Sequence, residues 1–235
     1  MNEETHIKNL TTSDKDVLLD YLLTYLTPQR IARFKQVLNY RTRHFTVVAE
    51  DTFRDHNASA LIRTCDCFGI QDMHVIEEHN TFRIASGMAK GAQKWVDVQF
   101  YNDHEDNVQA CIDRLKDHNY RIIATSPHKT NKSPDNFNIQ KPAALFFGKE
   151  KEGLSTQVLE QADDFITVPM VGFTESFNIS VSAAIILQTL TSKLHNSNDI
   201  NWQLSKAEIR VIKLDWCLKT IQNGPHIANR FLEEL

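Results

Sequence analysis

The chain has 235 residues, 41% apolar and 24% charged, with a formal net charge of −4, an ordinary balance for one large globular domain or a domain with extensions. No apolar run approaches the roughly eighteen residues of a membrane span, and the start, MNEETHIKNL, lacks the basic and apolar blocks of a secretion signal, so a cytoplasmic protein is expected. Cys65, Cys67, Cys111 and Cys217 have neither Cys-x-x-Cys spacing nor the context of a disulfide scaffold, and the ten histidines form no compact ligand set, so no metal is expected.

Residues 13–39 have helical periodicity, with Val17, Leu18, Tyr21, Leu22 and Tyr25 spaced for one face and Pro28 breaking the run. Between Thr27 and Ala49 stand Arg30, Arg33, Lys35, Arg41 and Arg43 with no carboxylate, although the whole chain is acidic. This stretch reads either as a solvated helix face followed by a basic turn or as a phosphate-binding arm. From Phe45 onward strand-like and helix-like segments alternate: FTVVAEDT, NASALIRTCDCF, MHVIEE, ASGMAKGAQKW, VDVQFY, EDNVQACIDRLKDH, RIIATS, AALFFG, LSTQVLEQA and DFITVPM. A helix from Ile179 to Leu190 follows, with Ser180, Ser182, Ala183 and Ala184 small enough for close packing. Such alternation predicts an α/β fold, a parallel sheet covered by helices on both faces. The loop from Pro127 to Pro142 is a candidate lid or RNA-facing loop, or surface filler, and Ser205 to Leu235 reads as a terminal helical segment. The expected division is an N-terminal helical, basic extension over 1–44, the α/β domain over 45–196 and a C-terminal helical extension over 197–235.

Three polar loops each leave the carboxyl end of a predicted strand, where groups face the ligand crevice of a doubly wound sheet. In the first, Asn57 is placed to cap a helix, and Arg63 follows among Leu61, Ile62 and Cys65, where a guanidinium needs a carboxylate or a phosphate. The second, Gly148 to Ser155, imitates a P-loop, but Leu154 stands where the phosphate-binding Lys belongs, and Glu150 and Glu152 would repel phosphates. In the third, Pro169 ends a strand, Gly172 frees the backbone, and Ser176 and Asn178 precede the helix, which either could cap.

Together these loops carry a resemblance. Asn57-Ala-Ser-Ala60 with Arg63-Thr64, the run Phe147 to Ser155, and Val168-Pro169-Met170-Val-Gly172 leading to Ser176-Phe-Asn178-Ile-Ser180 resemble the three successive motifs of the SpoU/TrmH branch of the SPOUT RNA methyltransferases. The resemblance spans about residues 45–190 and implies a deep trefoil knot at the C-terminal end of the sheet, S-adenosylmethionine as methyl donor, a homodimer with its active site near the interface, and an RNA ribose 2'-hydroxyl as acceptor. It implies catalytic-site roles for Arg63, Asn57, Glu150, Ser176 and Asn178, and cofactor contacts at Thr125, Gly148, Val168, Met170 and Phe177. The short extensions, with Arg30, Arg33, Lys35, Arg41 and Arg43 as RNA contacts, resemble the members that methylate guanosine 18 in the D-loop of tRNA more than the ribosomal relatives, which usually carry a separate RNA-binding domain. Phe177 and Ile179 stand where Leu and Val are common, Asp55 replaces a frequent Pro, and Lys149 replaces a usual Asn or Gln. A 2'-O-methyltransferase of ribosomal RNA, a catalytically silent RNA-binding module and a phosphate-handling α/β enzyme are the alternatives.

Overall fold

The computed structural model describes residues 10–52, 55–82, 89–126 and 132–234. They form two compact units, one from the residues up to Arg41 with those from Gln203 onward, the other Thr42–Trp202. The first unit opens with α1 (Thr12–Leu23) and α2 (Pro28–Leu38). The break between them follows from Pro28 at the first position of α2, where its missing amide costs nothing, after Thr27, whose hydroxyl caps the Arg30 amide.

The second unit runs β1 (Phe45–Glu50), α3 (Asp55–Cys67), β2 (Asp72–Ile76), β3 (Asp97–Tyr101), α4 (Asn107–Asp117), β4 (Arg121–Thr125), β5 (Ala143–Phe147), α5 (Thr156–Gln161), β6 (Asp164–Ile166) and α6 (Ile179–His195). All six strands are parallel, in the order β3-β2-β1-β5-β4-β6. Every residue of β1 and β5 is buried, as expected of central strands covered on both faces. Their side chains alternate between two cores. Ala143, Leu145 and Phe147 join α3 and α6 through Leu61, Ile62, Ile186 and Leu187, whereas Ala144 and Phe146 join α4 and α5 through Ile112, Leu115 and Val158. Each fully buried Leu, Ile or Phe contributes about 1.5–3 kcal/mol, so the sheet is the rigid platform on which the loops stand.

The chain progresses outward from β1 to β3 and then returns to the other side, with β5 inserted beside β1. The switch point for a ligand crevice therefore lies beyond the carboxyl ends of β1 and β5. The loop before β5 is tied on both sides. Lys193 of α6 donates to the carbonyls of Asp135 and Phe137, both at 2.7 Å, and Lys132 donates to both carboxylate oxygens of Asp164 at 2.8 Å.

Several expectations are adjusted. Helix α3 begins at Asp55, so Asn57 is inside it and does not cap it. The helix also turns Arg63 outward while Leu61, Ile62 and Cys65 are buried, so the guanidinium is in solvent and not in an apolar setting. Residues 85–88 of the expected helix ASGMAKGAQKW and residues 127–131 of the loop before β5 lie outside the described residues. The terminal helical segment is two helices, α7 (Lys206–Thr220) and α8 (Gly224–Glu233). Asn223 adopts a left-handed conformation at φ +57°, which ends one helix and redirects the next.

Helices α7 and α8 complete the first unit. A capping box between Ser205 and Glu208 starts α7, and Tyr21 of α1 stacks on Phe231 of α8 with centroids 4.0 Å apart. Arg41 is fully buried, its guanidinium 5.3 Å from the centre of the Trp216 ring. It is a packing residue, not a member of the basic surface. Arg43, in the second unit, is likewise engaged, by Asp72 at 2.7 Å and Asp97 at 3.3 Å. Only Arg30, Arg33 and Lys35 of the five expected RNA contacts are exposed on α2. Arg41→Ala is expected to destabilise the protein by about 2 kcal/mol, the worth of a desolvated cation–π contact, read as a lower urea midpoint.

Candidate active site

Three residues far apart in sequence meet at the crevice. Asn57 on α3 donates its side-chain amide to Glu150 Oε1 at 2.9 Å, across 93 positions. Asn178 donates to the same oxygen at 3.1 Å and to Asn57 Oδ1 at 3.1 Å. Both amides turn nitrogen toward Glu150 because a carboxylate only accepts. Asn178 is also the N-cap of α6, its Oδ1 accepting from the Ser180 amide at 2.9 Å and the Ser180 hydroxyl at 2.6 Å. Capping and site-building are therefore one arrangement: the side chain closes a helix with one end and joins the crevice with the other.

Glu150 is presented by a tight loop. The Lys149 amide donates to the Gly153 carbonyl and the Gly153 amide to the Lys149 carbonyl, both at 3.0 Å. Gly153 takes φ +73°, where a side chain would be strained, and a Cβ on Gly148 would run into the Gly153 carbonyl group. Beneath the loop lie Glu50 and Asp51 at the end of β1, which the sequence reading did not single out. Glu50 accepts from the Ser155 amide at 2.9 Å, and burial pushes its carboxyl up despite that bond, the Ser155 hydroxyl and the nearby Lys149. Burial also raises Asp51, but the Lys149 ammonium at 2.7 Å and the amides of Asn80, His79 and Glu78 outweigh it and hold the carboxyl well below the usual range. Asp51 in turn raises Lys149.

A second feature lies between the ends of β4 and β6 and the start of α6. It is a cavity of about 80 Å³, lined by Thr125, Val168, Met170, Ser176 and Phe177 together with Ser126, Ile166, Ser182 and Ile186. Four of the five expected cofactor contacts are here, Gly148 being the exception, and Ser176 sits with them and not with the Glu150 cluster. The main chain of residues 168–177 makes no hydrogen bond to any described residue, leaving its amides and carbonyls available to the edges of a ligand. Ser126, Ile166, Ser182 and Ile186 were missed; only their place after a strand or near the start of α6 could have flagged them. Arg63 is exposed, and no hydrogen bond or ion pair to it is found among the described residues. Among those residues, too, no group of three His, Cys, Asp or Glu side chains could hold a metal ion, and no helix is long and apolar enough to cross a membrane.

With this architecture and crevice in view, comparison with known proteins defines the class. The profile of the SpoU rRNA Methylase family matches residues 44–188, and the chain belongs to that family. It is 38% identical over 218 residues to the tRNA (guanosine(18)-2'-O)-methyltransferase of Borreliella burgdorferi, covering 92% of this chain and 98% of the relative. Among solved structures it resembles the TrmH/SpoU tRNA modifying enzyme of A. aeolicus, with a TM-score of 0.72, 29% identity and coverage of 83% and 98%. The fold is shared with the SpoU methyltransferase AviRb of Streptomyces viridochromogenes, solved with the cofactor AdoMet, at a TM-score of 0.57, 18% identity and coverage of 67% and 63%.

Glu150→Ala removes the acceptor that both amides share and strands the buried Asn57. We expect a loss of about 1–3 kcal/mol in urea unfolding, with Glu150→Gln recovering part of it. Gly148→Ala is expected to cost at least as much, because its methyl group meets backbone that cannot swing aside.

Proposed function

We propose that this protein transfers a methyl group from S-adenosylmethionine to the ribose 2'-hydroxyl of guanosine 18 in the D-loop of tRNA. The observation that carries the reading is the junction of Asn57, Glu150 and Asn178 beside a cavity lined by residues of the 168–177 segment, whose main chain pairs with no described residue. Its tRNA substrate is supported by likeness, over nearly its whole length, to a relative named for that reaction.

The residues fit the cofactor. Met170, Phe177, Ile166 and Ile186 offer apolar surface for a nucleoside and a methionyl chain, and the main chain of 168–177, which pairs with no described residue, offers donors and acceptors for their polar edges. When bound, the cofactor supplies an electrophilic methyl on a sulfonium. The chain's part is to align the ribose hydroxyl and, as that hydroxyl gives up its proton to solvent, to stabilise the negative charge left on its oxygen. Arg63 is assigned to that charge and to an RNA phosphate, roles suited to a planar guanidinium that donates hydrogen bonds and accepts none. Asn57, Glu150 and Asn178 hold the loops in register, and Ser176 contributes a hydroxyl at the cavity wall.

The reading includes a homodimer, a trefoil knot and cytoplasmic work on tRNA. Val171, Phe173, Phe177, Val181 and Ile185 are exposed along one continuous stretch of chain next to the cavity. At about 80 Å³ the cavity falls short of the roughly 300–1,000 Å³ of a ligand pocket, so a second copy seated on this stretch supplies the missing wall. The knot is supported by the way the loop before β5 is bonded to both β6 and α6. Arg30, Arg33 and Lys35 serve as the phosphate-binding part of the N-terminal extension.

Nucleotide-resolved mapping of 2'-O-methyl groups, after incubating total tRNA and rRNA with protein and cofactor, tests the assignment. A new mark at guanosine 18 is expected, and a mark confined to rRNA would overturn the tRNA reading. Arg63→Ala is expected to lower the single-turnover rate by at least about 100-fold while tRNA affinity stays within a few-fold, which also separates an enzyme from a silent binding module. Phe173→Asp is expected to yield monomers in analytical ultracentrifugation and to weaken cofactor binding.

A further inference from the structure

The loop that carries Glu150 is gripped at both ends by the two carboxylates that close β1. Asp51 takes Lys149 at the loop's start, at 2.7 Å, and Glu50 takes the Ser155 amide at its end, at 2.9 Å. Between those anchors the paired bonds of Lys149 and Gly153 leave Glu150 little freedom to wander. Asp51 is itself unusual, a non-glycine residue at φ +48° with its side chain 1% exposed. A residue with a Cβ holds that conformation only where its surroundings over-determine it. Here they do: Oδ1 accepts from the amides of Glu78, His79 and Asn80, the Asp51 amide donates to the Ile76 carbonyl, and the Asn80 side chain donates to the Asp51 carbonyl. The carboxylate is thus a fixed post, and Lys149 is the mobile partner tied to it.

We propose that Lys149 and Asp51 are a positioning pair for the reaction, fixing Glu150 and through it the amides of Asn57 and Asn178. This rests on the methyl-transfer reading of the Glu150 cluster. A direct grip on RNA is the competing role for a lysine in such a loop. The surroundings oppose it: Lys149 lines a cavity of about 390 Å³ that also holds Glu50, Asp51, Glu78, Glu105, Asp106 and Glu152 against His79, a surplus of acid that repels a phosphate. Lys149 acts on the protein side of the loop and does not touch substrate.

The test uses the full chain with Lys149→Met, which keeps the aliphatic stem and removes the charge. At saturating tRNA and S-adenosylmethionine, kcat is expected to fall by about tenfold or more, as displacement of an aligned group does, while both KM values stay within about twofold. Hydrogen exchange at the Gly153 and Ser155 amides is expected to quicken by about tenfold. Lys149→Arg is expected to restore most of both losses, and Asp51→Asn to reproduce them if that variant folds. An unchanged kcat, a loss carried by the KM for tRNA, or no rescue by arginine overturns the proposal. If the unaltered chain methylates no tRNA, the methyl-transfer reading fails by itself. Exchange at Gly153 and Ser155 still tests the pair then: quicker exchange in Lys149→Met supports it, and equal exchange overturns it.

Discussion

One carboxylate oxygen holds the crevice together. Glu150 Oε1 accepts from Asn57 and Asn178, and these three side chains come from the segments after β1, β5 and β6. Hydrogen bonds to a charged acceptor are roughly twice as strong as neutral ones, and of the three side chains Asn57 is the buried one, whose amide has the least water to turn to. The sheet brings only two of those segments together directly. β1 and β5 are neighbours, whereas β4 separates β5 from β6. The chain leaving β6 must come back over the end of β4 to bring Asn178 to Glu150, and Ile166, Val168, Met170, Ser176 and Phe177 of that segment line the cavity there.

That returning segment explains why the site combines rigidity with exposed main chain. Its ends are fixed, by β6 on one side and by the cap of α6 on the other, yet its own peptide groups find no partner among the described residues. Peptide groups kept out of secondary structure are costly in a core and useful at a binding wall, where they present donors and acceptors without the entropy of long side chains. The large apolar side chains Val171 and Phe173, fully exposed on the same segment, have the opposite requirement, a dry surface to press against.

The strands were legible from their apolar and β-branched runs, because a strand buried on both faces writes itself as a continuous apolar word. Their order was not, since a period of two residues says nothing of which strand lies beside which. Asn178 and Glu150 were legible as polar groups punctuating apolar elements. Asn57 was read as a cap, a local role its side chain could have filled; the helix starts earlier, and the amide is spent on Glu150. Arg41 and Arg33 look alike in the sequence, but one lies against Trp216, 175 positions further on, and no local pattern encodes so distant a neighbour. Glu50 and Asp51 were invisible for a related reason: two acids after a strand resemble a solvated turn until another loop folds over them.

Asn178 comes late in the chain, and α6, which it opens, comes later still. A ribosome delivers Asn57 first, Glu150 some ninety residues afterwards and Asn178 only near the close of this unit. Until that final helix has emerged and docked, the nascent polypeptide owns every strand of its sheet but not a finished crevice. Aborted translation products ending before it would lack the finished crevice, so the placement of a single capping residue makes assembly of the site coincide with completion of the unit.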